Sequence, residues 1–598
     1  MQRIAIVVAF MFGAAVARAE TLAEARAAGD AKFAAAVHSL ADRATADEAA
    51  VLRAWIPARD RRQVLFNVLA KDVGYEKLTP ELKSEFASLR AARAKELFAF
   101  AAPFADREPT AVYQLLHEVL HEDAEHVATR KILEHERGAS GWREKAERPA
   151  TANGDTDHPK LGWKRGTYRR IQSPHFRIVS QAALGRDDAE RLELLYDVWR
   201  QVFFRFAARP GALAARIAGG DEPLFKPKQH QIVIFRDRNA YVTALQKLQP
   251  KIGLTTGLYD DRDQISYLYD ATNAKGELDP TVAATWFHEV THQLIQETIG
   301  DRTTPGENGN FWIVEGLALY FESLTNRGDY CTLGGWDADR LQFVRYFTLA
   351  GQKSVGLQAL AALSKADVQD HKEIRELYRQ AAGFAHLLMD DQGGAYREST
   401  LHYLAAVYQH LARGDALQTN LRTSPAEIDA RLPAFLQVRD ADLANADAAT
   451  LKNLSLGRTA VTDAGLLRLR GAKRLEWLDL SGTAVTDEGL AILDETPSLR
   501  QLFLERTKVS AASLPRIARL KQLEELDLSG LPIRDADLAA LSALSNLKIL
   551  HLSGTEVSDA GILTLKTLRR MEELRVEQTK VTPQGLERLQ KLLPKLNR

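Results

Sequence analysis

Cysteine is nearly missing from these 598 residues: Cys331 is the only one, so no internal disulfide can form and no lipid-attachment cysteine follows the N-terminus. Net charge is missing too. The 79 basic residues are balanced by 79 acidic ones, which removes any electrostatic pull toward nucleic acid or an acidic membrane surface. Long apolar runs are absent beyond Ile4–Val16, which is short for a bilayer span. With Arg3 before that run and Ala17-Arg18-Ala19 after it, residues 1–19 have the layout of a secretory signal peptide. The expected mature chain starts near Glu20 and is exported to a periplasmic, cell-envelope or extracellular location, with no transmembrane segment after signal cleavage.

Against these absences, two segments stand out: His288-Glu289-Val290-Thr291-His292, and Phe311 to Glu322 with Glu315 at its centre. On a helix, residues four apart share a face, so His288 and His292 can present two imidazoles to one metal ion while Glu289 flanks it. Glu315, arriving on a second helix, is the natural third ligand. Two histidines and a carboxylate are the donor set of a catalytic Zn2+ site, with Glu289 as the base that takes a proton from an attacking water. The expected activity is that of a zinc metallopeptidase acting on a peptide or protein substrate.

The same pattern occurs earlier, at His117-Glu118-Val119-Leu120-His121, and context separates the copies. Around the first, Val112, Leu116, Val119 and Leu120 form an apolar stripe, leaving the histidines on the opposite face among Glu118, Glu122 and Glu125. That face reads as solvated and the role as structural or incidental. Around the second, Val282, Ala283, Trp286, Phe287, Val290 and Leu294 form a broad buried stripe, and the histidine face otherwise holds Ala284, Thr285 and Thr291. Asp279-Pro280 starts this helix and Gly300 is its expected stop. Gly316 and Ala318 are small enough for the second helix to pack closely.

His288-Glu289-x-x-His292 followed by Glu315-Gly316-x-Ala318-x-Tyr320 resembles the gluzincin metallopeptidases, in which two histidines of one helix and a glutamate of the next bind zinc. Within that clan the chain is most similar to exported bacterial proteins with a peptidase-like domain. The Gly-x-Met-Glu-Asn type segment with which the aminopeptidase branch grips a substrate amino terminus is missing. The resemblance implies a small sheet ahead of the zinc helix, with an edge strand that holds extended peptide. His175–Ser180, Gln231–Phe235 and the hairpin Gly257–Tyr259 with Ile265–Tyr269 read as its strands, and either hairpin strand is the candidate edge. It also implies a tyrosine that donates to the oxyanion. Tyr378 lies at a matching distance beyond Glu315, and a core role for it is equally compatible with the sequence. Glu322 and Tyr320 are candidate partners for a ligand imidazole.

The last third of the chain repeats every 24 residues: Leu451, Leu475, Leu499, Leu523, Leu547 and Met571 each open a Leu-x-x-Leu-x-Leu strand or its close variant. This is a leucine-rich repeat array whose units stack into a solenoid. Thr459, Thr483, Thr507, Thr555 and Thr579 are expected to satisfy turn amides. Trp477 and Phe503 alternate outward onto the concave surface and mark a candidate site for a protein partner. The fold class is multidomain α+β: a signal peptide (1–19), an α-helical region (20–144), a linker (145–163), a gluzincin-like metallopeptidase domain (164–440) and leucine-rich repeats (445–598). The competing expectation is a non-catalytic interaction protein whose repeats do the work and whose zinc domain is structural or vestigial.

Overall fold

The computed structural model describes residues 21–597 apart from 58, 60, 68–73, 139–140, 145–149, 183–184, 274–276 and 301–302, so the signal segment lies outside the described residues. Two compact units emerge, each drawn from two stretches of chain: residues 1–333 with 398–416, and residues 334–397 with 417–598. Of the stretch assigned from sequence to the peptidase domain, residues 334–397 and 417–440 cluster with the repeats.

In the first unit, the N-terminal helices begin where side chains can serve their free amides. Thr21 and Glu24 form a capping box for Leu22–Ala41, and Pro80 and Pro109 occupy the first positions of Pro80–Ala99 and Pro109–Glu122. The region expected to be purely helical also holds strands. Arg62–Phe66 joins a three-stranded sheet with Tyr330–Gly334 and Thr325–Asn326. Gln63 Nε2 donates to the Tyr320 hydroxyl at 2.9 Å and Gln201 donates to the Phe66 carbonyl, so this region is built into the unit that carries the metal-type helices.

The main sheet has six strands in the order Ala150–Asn153, Arg169–Gln172, Phe176–Ser180, His230–Phe235, Ile265–Tyr269, Leu258–Asp260. Its first strand lies within the expected linker. The central three strands are parallel and the outer ones antiparallel, leaving Leu258–Asp260 at an edge. Helix Pro280–Thr298 begins as its sequence requires: the Asp279 carboxylate accepts from the amides of Thr281 and Val282, and Pro280 fills the first position. Four hydrogen bonds then lock it to the sheet. Trp286 Nε1 donates to the Tyr269 carbonyl, Ser266 donates to Gln293, and Gln293 donates to the carbonyls of Gln231 and Gln264.

In the second unit, six three-residue strands from Asn453–Ser455 to Glu573–Arg575 pair in parallel with a strict 24-residue register, Leu454 on Leu478, Leu478 on Leu502, and so on. Their leucines form one continuous buried cluster that extends back to Val438 and Trp336. Successive repeats are stitched by a carboxylate. Asp463 accepts from the backbone amide and the hydroxyl of Thr486 (2.8 and 2.6 Å), and Asp440, Asp487, Asp535 and Asp559 do the same for Thr462, Ser510, Ser558 and Thr582. That carboxylate explains the repeated glycine: a Cβ at Gly489 would lie 2.3 Å from Asp463 Oδ1, and Gly465, Gly561 and Gly585 face the same clash. Thr459, Thr483, Thr507, Thr555 and Thr579 each donate to the carbonyl three residues back, and the Thr507 and Thr579 hydroxyls also accept from turn amides, those of Val509 and Val581, as expected.

Trp477 and Phe503 also depart from expectation. They are only 6 % and 7 % exposed. Helix Asp339–Leu349 lies over them: Phe343 stacks on Trp477 with centroids 5.1 Å apart, and Tyr346 packs edge-on to Trp477 and against Phe503. Arg345, fully buried, fixes the helix by donating to the carbonyls of Leu436, Ser455 and Trp336. The aromatics are therefore the seat of the chain's own helix and not a free binding patch.

Candidate metal centre

Helices Pro280–Thr298 and Phe311–Phe321 bring together the three side chains that the spacing selected. His288 Nε2 and His292 Nε2 are 3.2 Å apart, and Glu315 Oε2 lies 3.4 Å from the first and 3.7 Å from the second. Among the described residues this is the one group of three or more His, Cys, Asp or Glu side chains able to hold a metal ion, with ligand atoms within 4.8 Å of one another. For a tetrahedral zinc with bonds of about 2.0–2.1 Å, donors should be about 3.3 Å apart, so the triangle fits one ion.

The helix carrying Glu315 is entirely buried, which its run of apolar residues with Gly316 and Ala318 permits. It starts at Asn310, whose left-handed backbone (φ 62°) turns the chain out of the preceding loop. The Tyr403 hydroxyl donates to Asn310 Oδ1 at 2.5 Å, and its ring packs on Trp312. Thr304 donates to Asp261, which ties the same loop to the turn of the edge hairpin.

Charge in the site is unbalanced in favour of carboxylate. Glu322 Oε1 lies 3.0 Å from His288 Nδ1, the position of an acid that fixes which imidazole nitrogen is free to ligate. Burial opposes a charge on His288, but Glu315 and Glu322 outweigh it and push its pKa up to about 10. Burial likewise disfavours ionised Glu315, yet His292 and His288 hold its carboxyl well below the usual range. The buried phenol of Tyr408 has its pKa raised by burial and further by Glu315 and Tyr259. A half-buried pocket of two imidazoles and three carboxylates, counting Glu289, favours a bound cation.

Glu289 is on the same helix, and its Oε2 accepts a 2.8 Å hydrogen bond from the backbone amide of Tyr259 in the edge strand. Sequence reasoning proposed the strand without foreseeing this contact. The only signal was Gly257, placed where the hairpin meets the helix. Tyr378 belongs to the second compact unit, half-buried on helix Ile374–Asp390, whereas the three ligands and Glu289 belong to the first. Cys331 is buried, and burial pushes its thiol pKa up to about 12.

The earlier copy of the motif is not on a solvated face. His117, Glu118, His121 and Glu122 are all under 9 % exposed, because helices Leu22–Ala41 and Pro80–Ala99 cover them with arginines. Arg26 and Arg59 pair with Glu118 at 2.7 and 3.2 Å, His117 Nδ1 meets the Tyr113 carbonyl, and His121 is sandwiched between Trp55 and Phe66. Trp55 Nε1 donates to Glu122, and Arg90 lies 3.6 Å from it. The solvated face expected for this copy is thus a buried one, because arginines from distant segments pair with its carboxylates.

A leucine-rich repeat family model matches residues 543–566. The C-terminal repeats are leucine-rich repeats. None of the curated proteins matches the chain. Among solved structures, a leucine-rich repeat protein of Leptospira interrogans is 23% identical over 26% of this chain and 37% of its own, with a TM-score of 0.20. Internalin C2 of Listeria monocytogenes is 23% identical over 27% of this chain and 72% of its own (TM-score 0.21). The ectodomain of an Arabidopsis thaliana membrane receptor kinase is 21% identical over 26% and 19% (TM-score 0.20). This chain therefore spans little more than a third of the Leptospira protein. Among the described residues no helix is long and apolar enough to cross a membrane.

Proposed function

We propose that this protein is an exported zinc metallopeptidase with leucine-rich repeats for protein binding. The observation that carries the reading is the donor triangle of His288, His292 and Glu315 with Glu289 beside it. His288 and His292 offer their Nε2 atoms and Glu315 its Oε2, while Glu322 orients the first imidazole through Nδ1. A zinc ion bound there would supply Lewis acidity and lower the pKa of water, three protein donors leaving a fourth position open. Glu289, off the metal triangle, takes the proton of the attacking water and passes it to the departing amine. Extended substrate is held by main-chain hydrogen bonds along Leu258–Asp260, the half-buried edge of the sheet, through groups other than the Tyr259 amide, which Glu289 occupies.

The repeat array supports a second reading, a protein-interaction scaffold with a non-catalytic zinc domain. A structural zinc site normally fills its fourth position with protein and has no use for Glu289. Metal analysis with a peptide-library digest of wild type and Glu289→Gln separates the two. Hydrolysis that vanishes in Glu289→Gln with metal retained supports the peptidase; one zinc per chain with no cleavage by wild type supports the scaffold.

A further inference from the structure

Resting on the peptidase reading, we propose that Gly257 and the backbone amide of Tyr259 are the positioning device for Glu289, so that strand edge and general base form one unit. Gly257 is buried at the start of the edge strand, directly against the helix face that presents Glu289. A Cβ there would lie 2.8 Å from Glu289 Cγ and 2.8 Å from Thr285 Cγ2, distances that real side chains do not tolerate. Only glycine lets the strand come this close.

The close approach has a specific product. Two residues on, the Tyr259 N–H reaches Glu289 Oε2 at 2.8 Å. Tyr259 lies opposite Ser266 of the neighbouring strand, on the strand that forms the sheet edge. Its amide is turned to the carboxylate. One residue before Gly257, the Thr256 and Thr285 hydroxyls meet at 3.0 Å and clamp the same junction. A carboxylate fixed through one oxygen presents the other in a defined direction, and a free glutamate of three rotatable bonds would otherwise sample many. Gly257 touches neither the three metal donors nor substrate in this scheme; it acts through Glu289.

Amide hydrogen exchange on the full chain, read over peptides spanning Tyr259, is the direct test. Wild type should protect that amide, and Glu289→Ala and Glu289→Asp, which removes or shortens the acceptor, should speed its exchange about tenfold or more. Gly257→Ala should do the same, retain one zinc per chain, and lower kcat about ten- to a hundredfold with KM within about twofold. Thr285→Ser added to Gly257→Ala removes one of the two clashing contacts, keeps the hydroxyl, and should restore part of kcat. Unchanged exchange at Tyr259 in both Glu289 variants overturns the proposal, as does full kcat in Gly257→Ala, or loss of zinc from it, which would make the glycine a support of the metal helix. If wild type binds zinc but cleaves nothing, the peptidase reading falls, while the exchange arm still judges the hydrogen bond on its own.

Discussion

Helices Pro109–Glu122 and Pro280–Thr298 carry the same His-Glu-x-x-His pattern, and their surroundings put it to opposite uses. In the first, arginines from two neighbouring helices and a loop, with the ring of Trp55, take up the carboxylates: Glu118 is tied to Arg26 and Arg59, and Glu122 to Trp55 and Arg90. In the second, the facing helix brings a carboxylate rather than guanidinium groups, and the imidazole nitrogens converge on Glu315. A motif fixes which side chains share a helix face. The charge on the elements packed against that face decides whether its carboxylates are already paired with guanidinium groups or its imidazoles converge on a further carboxylate.

The strongest way to break this contrast is to delete histidines from each copy. His292→Ala or Glu315→Ala should abolish stoichiometric zinc binding, measured by metal analysis after dialysis, whereas His117→Gln and His121→Gln should leave it intact. Next, Glu322→Gln should weaken zinc affinity about 10–100-fold in competition with a chromophoric chelator, since it loses the acid behind His288. In the arginine-filled copy the effect belongs to stability. Arg26→Met leaves Glu118 buried with one of its two cations removed and should cost about 3–5 kcal/mol in urea unfolding of the first unit. A smaller loss is expected in the repeats, where Asp463→Ala removes the two hydrogen bonds to Thr486 and should cost about 1–2 kcal/mol, read from the second unit's transition.

A further effect concerns pH. Burial, opposed by Arg90 and reinforced by Glu118, pushes the Glu122 carboxyl up to about 8. A raised folded-state pKa means that the protonated form belongs to the fold. This group's stabilisation is complete at pH values below the ordinary carboxyl range and is lost as pH climbs through 8. Glu122→Gln, permanently neutral, should therefore match wild type in thermal midpoint near pH 4 and exceed it near pH 9; a wild-type advantage at pH 9 would show that Glu122 works as an ion partnered by Arg90.

Much of the candidate site was legible because it is local. The Asp279-Pro280 helix start, the four-residue histidine spacing, and small residues beside Glu315 each report on one helix, and Glu322 stands one residue past the next. The repeats were legible for a similar reason, since each position of one unit meets the same position of the next at a fixed register. Burial of the first motif was not legible, because the arginines that cover it come from up to 92 residues away, as in the Arg26–Glu118 pair. Nor was the fate of Trp477 and Phe503. Alternation within a strand correctly turned them outward, but says nothing of a helix more than a hundred residues earlier that returns to cover them.

By itself, the sequence determined the helix faces, the strand periodicity and the choice of donor atoms, because these follow from backbone geometry over a few residues. Tertiary structure alone decided which copy of the motif faces carboxylate and which faces guanidinium, how the chain divides into two interleaved units, and that Gly257 brings a strand amide to Glu289. Those outcomes depend on which distant surface each face is pressed against, and burial makes the charge of that surface decisive by removing the water that would otherwise screen it.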